Sequence, residues 1–353
     1  MNFKLEKNVS LKRLTTFKLG GEARYVAYIH SVEELVSCLD WAREQKLEYF
    51  ILSGGSNTVF GDKGFGGVVI RIEIKGFEVI KSDADQATVK IGAGEVWDNA
   101  VKKCVDLGFS GIESLSLIPG LAGSAPVQNI GAYGQEISQT LVEVGAFDTK
   151  KHRMTTLSNS DCAFSYRNST FKSTAKGRYI ITSITLSLSK HAPSMPNYKD
   201  LIRYFEEKQI SQPSLQQIRT AVIDIRRHKL PDPDKTPNAG SFFKNPIISV
   251  SEFEELARKF PELNEKPAGW PQPPRWFLDD GTVKLSAARL IELAGLNKGY
   301  SIGHAKIDDK HTLVLENIGG DSSVELFELK NEIIDKVKAK FGITLEPEPV
   351  IID

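Results

Sequence analysis

The chain has 353 residues, 41% of them apolar and 25% charged, with 45 basic residues balancing 45 acidic ones. That composition fits a soluble globular protein of two or three domains. It excludes a global field that would draw in nucleic acid or an anionic membrane, and no apolar run approaches the roughly 18 residues of a membrane span.

The opening MNFKLEKNVSLKRL alternates charged with apolar residues and has no continuous apolar core, so no secretory leader is expected. Ala23 to Ile29 is apolar and β-rich, and predicts a strand. Ser31 offers an N-cap, with Glu34 three residues on, before an amphipathic helix through Glu44. Tyr49 to Leu52 reads as a short buried strand opening into Ser53-Gly54-Gly55-Ser56-Asn57, and Gly66 to Ile72 as another strand. A strand at Ala87 to Ile91 runs into Gly92-Ala93-Gly94-Glu95. A helix from Val96 to Leu107 follows, ending at Gly108 as its C′ glycine. Alternating segments at Thr140–Asp148 and Tyr179–Leu188 predict antiparallel strands. Ser214 caps a helix to Lys229 that Pro231 and Pro233 stop. Beyond it the pattern gives Ser251–Lys259, a proline-rich stretch over 261–274, a helix from Ser286 to Ala294 and a strand from His311 to Asn317. A long amphipathic helix from Ser322 to Phe341 and an extended tail over 345–352 complete the chain. The cysteines, Cys38, Cys104 and Cys162, are odd in number and far apart, with no CxxC. Neither a disulfide framework nor a metal site is expected, and a reducing cytoplasm fits.

Four segments carry chemistry. In ILSGGSN, residues 51–57, adjacent glycines after a buried strand can expose consecutive N–H groups to phosphate oxygens, although a bare Gly-Gly is more often only a tight turn. It is neither a Rossmann fingerprint nor a P-loop. The run from Ile118 to Gly134 is different in kind. It orders much backbone while burying little apolar area, which is how a binding loop is built and not a core. Gly120, Gly123 and Ser124 allow close backbone approach; Gln128, Asn129 and Tyr133 supply directed polar groups. In YRNSTFK, residues 166–172, Arg167 can clamp a carboxylate, though alone such an arginine is more often a surface ion pair. In NAGSFFKNP, residues 238–246, Ala239-Gly240 frees space around Ser241 ahead of two phenylalanines; an isolated serine there would more often be a cap. The six histidines are scattered, and none reads as a ligand or as a covalent flavin anchor.

Together with TTFKLGG (15–21), IGAGE (91–95), KLPDP (229–233), KLSAARLIELAG (284–295) and LEPE (345–348), these segments resemble the UDP-N-acetylenolpyruvoylglucosamine reductases, in their longer type I branch, across nearly the whole chain. The resemblance implies an α+β fold. A two-subdomain FAD-binding module of the vanillyl-alcohol-oxidase/PCMH type would occupy 1–75 and 76–228, with a substrate loop near 190–205. A C-terminal α/β substrate-binding domain would follow over 229–343, then a strand over 344–353 carrying a catalytic glutamate. It implies non-covalent FAD held by Ser53, Gly54, Gly55, Ser56, Asn57, Gly92, Gly94, Pro119, Gly120, Gly123, Ser124, Gln128, Asn129, Ile130, Gly131, Ala132, Tyr133 and Arg226. NADPH would be the co-substrate, the nucleotide sugar would meet Tyr198, Lys229 and Asn245, and the enzyme would be a monomer. The implied catalytic residues are Arg167, Ser241 and Glu348, with Glu346 as the fallback. Three departures stand out: Pro349 where the family has LEPEVR, Arg289 where an aromatic is usual, and a long stretch from Asn264 to Asp280 with Trp270 and Trp276. An alcohol or sugar oxidase of the same fold, and a catalytically inert binding protein, are the competing readings.

Overall fold

The computed structural model describes residues 2–267 and 272–353, so Trp270 lies outside the described residues. The chain divides into two compact units. One comprises Met1–Ser10, Glu22–Ser56 and Phe65–His228; the other comprises Leu11–Gly21, Asn57–Gly64 and Lys229–Asp353.

The first unit holds two sheets. The four-stranded one runs Lys4–Ser10, Glu22–Ile29, Phe65–Ile72, Tyr49–Leu52 in spatial order, its first pair antiparallel and the others parallel. The helix Val32–Glu44 forms the crossover that parallel strands require. Ser31 Oγ accepts the Glu34 N–H at 3.2 Å, as expected, but Glu34 reaches back to the His30 N–H at 2.7 Å instead of that of Ser31. The strand Lys4–Ser10 was not expected. It is an edge strand that buries neither face, its side chains exposed or half-buried throughout. The second sheet is antiparallel throughout: Arg153–Ser158, Leu141–Asp148, Tyr179–Ser189, Gln86–Gly92, Phe77–Ser82. One core, including Ile29, Val68, Ile70, Val89, Trp97, Val144 and Ile184, joins the sheets to the helix Trp97–Asp106. A satellite cluster of Leu201, Phe205, Ile218 and Val222 joins the helices Lys199–Glu207 and Leu215–Lys229. All three cysteines are buried and free, and burial pushes each thiol up to about 12.

The second unit has a four-stranded sheet, Asn238–Ser241, Val314–Asn317, Ala305–Ile307, Ser301–Ile302, and a three-stranded one, Ile247–Ser249, Thr282–Leu285, Arg275–Phe277. Val350–Ile352 pairs in parallel with Thr58–Phe60. The helix Val324–Phe341 buries Leu326, Leu329, Ile333, Val337 and Phe341 on one face and stops at Gly342, which has φ 74°. The strand expected from His311 begins only at Val314. Asp308 Oδ1 accepts the N–H groups of Lys310 and His311 at 2.9 and 2.7 Å, and that local bonding folds 308–311 into a turn.

Candidate active site

In the first unit, the glycine-rich segments divide by what their N–H groups do. Those of Gly92, Ala93, Gly94 and Glu95 donate to Gly76, Thr182, Ile74 and Gly92 carbonyls, and those of Gly123 and Ser124 to Ala93 and Leu121. Packing leaves no room for a side chain at the three glycines. A Cβ on Gly92 would stand 2.5 Å from the Ile74 oxygen, and one on Gly123 2.6 Å from the Ala93 Cβ. Among the described residues, by contrast, Gly54, Gly55, Ser56, Gly120 and Leu121 give their N–H groups to no backbone carbonyl. Those two loops touch backbone to backbone: a Cβ on Gly54 would meet Gly120 Cα at 2.8 Å, and Ser56 Oγ donates to the Pro119 carbonyl at 3.1 Å. Ser53 Oγ is buried with no hydrogen-bond partner. Open amides at a strand end, a cradle that tolerates no Cβ and an orphaned hydroxyl fit a phosphate-bearing cofactor.

The long loop closes on itself further along. Asn129 is buried at 1% exposure; its amide donates to Glu136 Oε2 at 2.7 Å and to the Ser165 carbonyl at 3.2 Å, while its oxygen accepts the Ser138 N–H at 3.2 Å. Its side chain therefore shapes the loop, with both amide N–H groups and one oxygen lone pair engaged. Ile130 O accepts the Ile137 N–H. Gly131–Ala132 pairs with Gln135–Glu136 across a two-residue turn in which Tyr133 and Gly134 both have positive φ, 50° and 86°. Gln128 Oε1 accepts from Lys172 Nζ at 3.1 Å. Arg167 donates from Nη2 to the Gly131 carbonyl at 2.9 Å and lies over the Tyr166 ring, which fixes a cation beside the loop.

That turn aims Tyr133 at Tyr198, with ring centroids 5.2 Å apart and planes at 77°. Burial pushes the Tyr133 phenol up to about 12, against the opposing charge of Arg226. Arg226 Nε is buried without a partner, and burial holds its guanidinium below the usual arginine range, with Tyr133 and Asp98 opposing. Three residues expected to serve cofactor and substrate are thus brought into one neighbourhood. Two more were not legible in the sequence. Asp98 and Arg219 form a two-pronged pair at 2.7 and 2.7 Å, and Asp98 Oδ1 also accepts the Leu117 N–H at 2.5 Å. Burial raises the Asp98 carboxyl, but the Arg219 hydrogen bond and the Leu117 N–H outweigh it and hold the group below its ordinary value.

In the second unit, Asn238 pairs with Glu316 and Ser241 with Val314, so one extra residue is accommodated at Ala239-Gly240, where Gly240 has φ 70°. Such a bulge re-aims the side chain that follows it, here Ser241. Phe242 and Phe243 are fully buried behind it. The segment 242–244 then runs against the tail: Glu348 N donates to the Phe242 carbonyl at 2.8 Å and Lys244 N to the Glu346 carbonyl at 3.0 Å. Asn57 holds the same tail, its Nδ2 donating to the Glu348 carbonyl at 3.3 Å and its carbonyl accepting from Val350 N at 2.9 Å. Pro349 falls between the two donating residues 348 and 350, so its missing N–H breaks neither bond. The Glu346 side chain is 71% exposed and binds Lys244 at 2.9 Å, whereas Glu348 is half-buried. Asn245 Oδ1 accepts the Ala287 N–H at 2.9 Å at the start of the helix Ala287–Leu293. Lys229 ends the helix Leu215–Lys229.

Residues 23–152 match a family described as an FAD binding domain, and residues 232–352 match the C-terminal domain of UDP-N-acetylenolpyruvoylglucosamine reductase. The chain is 40% identical over 351 residues to the UDP-N-acetylenolpyruvoylglucosamine reductase of Ralstonia nicotianae, covering 99% of both proteins. It is also 40% identical over 358 residues to that of Thermobifida fusca, covering 100% of this chain and 99% of the other. Among solved structures, the reductase of that name from Thermus caldophilus superposes with a TM-score of 0.66 at 22% identity, over 99% of this chain and 100% of that one. The 6-hydroxy-D-nicotine oxidase of Arthrobacter nicotinovorans gives 0.51 at 13% identity, over 98% of this chain and 87% of that one.

Proposed function

We propose, because this chain belongs to the UDP-N-acetylenolpyruvoylglucosamine reductase family of FAD-dependent oxidoreductases, that it reduces UDP-N-acetylglucosamine enolpyruvate to UDP-N-acetylmuramate with NADPH, for peptidoglycan precursor synthesis. The observation that carries the reading is the bulge that presents Ser241 on the segment hydrogen-bonded to the Glu348 tail. When bound, FAD supplies hydride transfer from NADPH to the vinyl carbon of the substrate. Gly54, Gly55, Ser56, Gly120 and Leu121 would hold its phosphates with their open N–H groups.

The protein must then do two things. Negative charge grows on the substrate carboxylate as the vinyl group is reduced, and Arg167, pinned to the Gly131 carbonyl, is a fixed cation for it. Glu348, half-buried on the tail, would add a hydrogen bond to the same carboxylate as a neutral acid. Ser241 gives the proton to the adjacent carbon, a contribution of roughly 10²–10⁴-fold for a well-placed acid. Lys229 and the Asn245 amide would bind the diphosphate, and Tyr198, stacked edge-on against Tyr133, would cover the substrate. The same reading makes the protein a cytoplasmic monomer; among the described residues no helix is long and apolar enough to cross a membrane.

Loss of NADPH absorbance is the direct test, with purified protein in the presence and absence of the enolpyruvyl nucleotide sugar. Rapid oxidation only with substrate is expected. Slow oxidation that is equal without substrate would remove the substrate assignment and leave a flavoprotein of the oxidase kind.

A further inference from the structure

Arg219 lies on the helix Leu215–Lys229 and belongs to no motif. Its guanidinium grips both oxygens of Asp98 at 2.7 Å, and Nη1 also donates to Ser116 Oγ at 2.9 Å. The hydroxyl of Ser116 in turn donates to the Glu113 carbonyl at 2.6 Å, so its orientation is fixed from both sides. Asp98 takes the Leu117 N–H at 2.5 Å. Leu117 has φ 58°, a left-handed backbone that a leucine adopts only when its surroundings impose it. Two residues later come Pro119 and Gly120, which meet Ser56 and Gly54. The pair is largely shielded, with side chains 12% and 24% exposed.

We propose that Arg219 is a positioning residue for FAD: through Asp98 and Ser116 it holds the Ser116–Leu117 bend, and the bend sets the Pro119–Gly120 loop against the Gly54 loop so that their open amides converge. The proposal rests on the flavin reading above. It assigns Arg219 no contact with the cofactor. It also separates Arg219 from an ordinary stabilising pair. Arg178 grips Asp148 in the same two-pronged way, at 2.7 to 3.2 Å, but bonds no residue of the loop.

The test is titration of the full-length apoprotein with FAD, followed by flavin fluorescence and the visible spectrum of the bound flavin, beside the Tm of the apoprotein. Arg219→Ala should weaken FAD binding by about 10- to 100-fold, the loss expected for a charged hydrogen-bonded partner. Arg219→Lys keeps the charge without the fork and should recover part of the affinity. Asp98→Asn keeps an acceptor for Leu117 and should fall between. Arg178→Ala should lower the apoprotein Tm and leave the FAD Kd unchanged. An Arg219→Ala protein that binds FAD within twofold of wild type overturns the proposal. So does an Arg178→Ala protein that loses FAD equally, since the effect would then be stability alone. A wild-type apoprotein that takes up no FAD overturns the flavin reading itself, and this inference with it.

Discussion

A serine hydroxyl surrenders its proton only to a strong base held in line with it, so replacing Ser241 should split the reaction. Ser241→Ala should leave flavin reduction by NADPH intact and slow reoxidation by the enolpyruvyl substrate about 10²–10⁴-fold in stopped flow. Equal loss of both half-reactions would remove the proton-donor role. Glu348 calls for a paired comparison. If it donates a hydrogen bond as a neutral acid, Glu348→Gln keeps a donor and should stay within about tenfold of wild type, while Glu348→Ala should lose about 10²–10³-fold. Small, equal effects would transfer the role to Glu346, although that side chain sits in solvent on Lys244. At this scale the sequence singles out Ser241 by a short run of unusual residues, and that run folds as a bulge at Ala239-Gly240. It was silent on Asp98 and Arg219, 121 positions apart, each occupying an unremarkable polar position in an amphipathic helix. Nor does it announce that the Asn129 amide bonds Glu136 and the Ser165 carbonyl within the fold.

Among elements, the two loops that meet at Gly54 and Gly120 leave no room for adjustment, since backbone faces backbone. Gly54→Ala places a methyl 2.8 Å from Gly120 Cα, where no side chain can swing aside. Overpacking of this kind costs about 1–3 kcal/mol. We expect Gly54→Ala to lower the Tm and to weaken FAD binding together. Gly66→Ala, on a nearby strand with nothing within 4 Å of the added Cβ, should do neither. If Gly54→Ala binds FAD normally, the convergence of those amides is not what holds the cofactor. Elements were readable where burial imposed a period, as in the helix Val324–Phe341 or the central strand Tyr179–Ser189. Edge strands such as Lys4–Ser10 and Phe77–Ser82 escaped because neither buries a face, so no run of core residues marks them. The false start at His311 came from the Asp308 side chain, which competes for backbone N–H groups that a strand would use.

For the molecule as a whole, chain order hides membership. Leu11–Gly21 and Asn57–Gly64 belong with the second unit, tied there by pairings such as Val350 with Thr58 that no local pattern announces. The same long-range assembly buries an acid that composition could not reveal. Glu316, 5% exposed, lies across from Asn238 on one strand and Lys306 on the other. Burial, then the nearby Asp308 and Asp309, raise its carboxyl to about 7, with Lys306 opposing. The folded value exceeds the unfolded one, so the fold favours the protonated form. That contribution is complete below about pH 4.5 and is lost as pH rises through about 7. His311 works the other way over the same range: burial depresses its imidazole, so stability is lost as pH falls below its ordinary value. The Asp148 carboxylate, held at about 2 by Arg178, acts only at more acid pH. A raw pH profile would therefore mix opposing slopes, and the informative quantity is the difference between wild type and Glu316→Gln. We expect urea unfolding to show the variant gaining about 1–3 kcal/mol relative to wild type between about pH 4.5 and pH 7. A difference that stays flat over that window would mean that Glu316 ionises in the fold as it does in the unfolded chain.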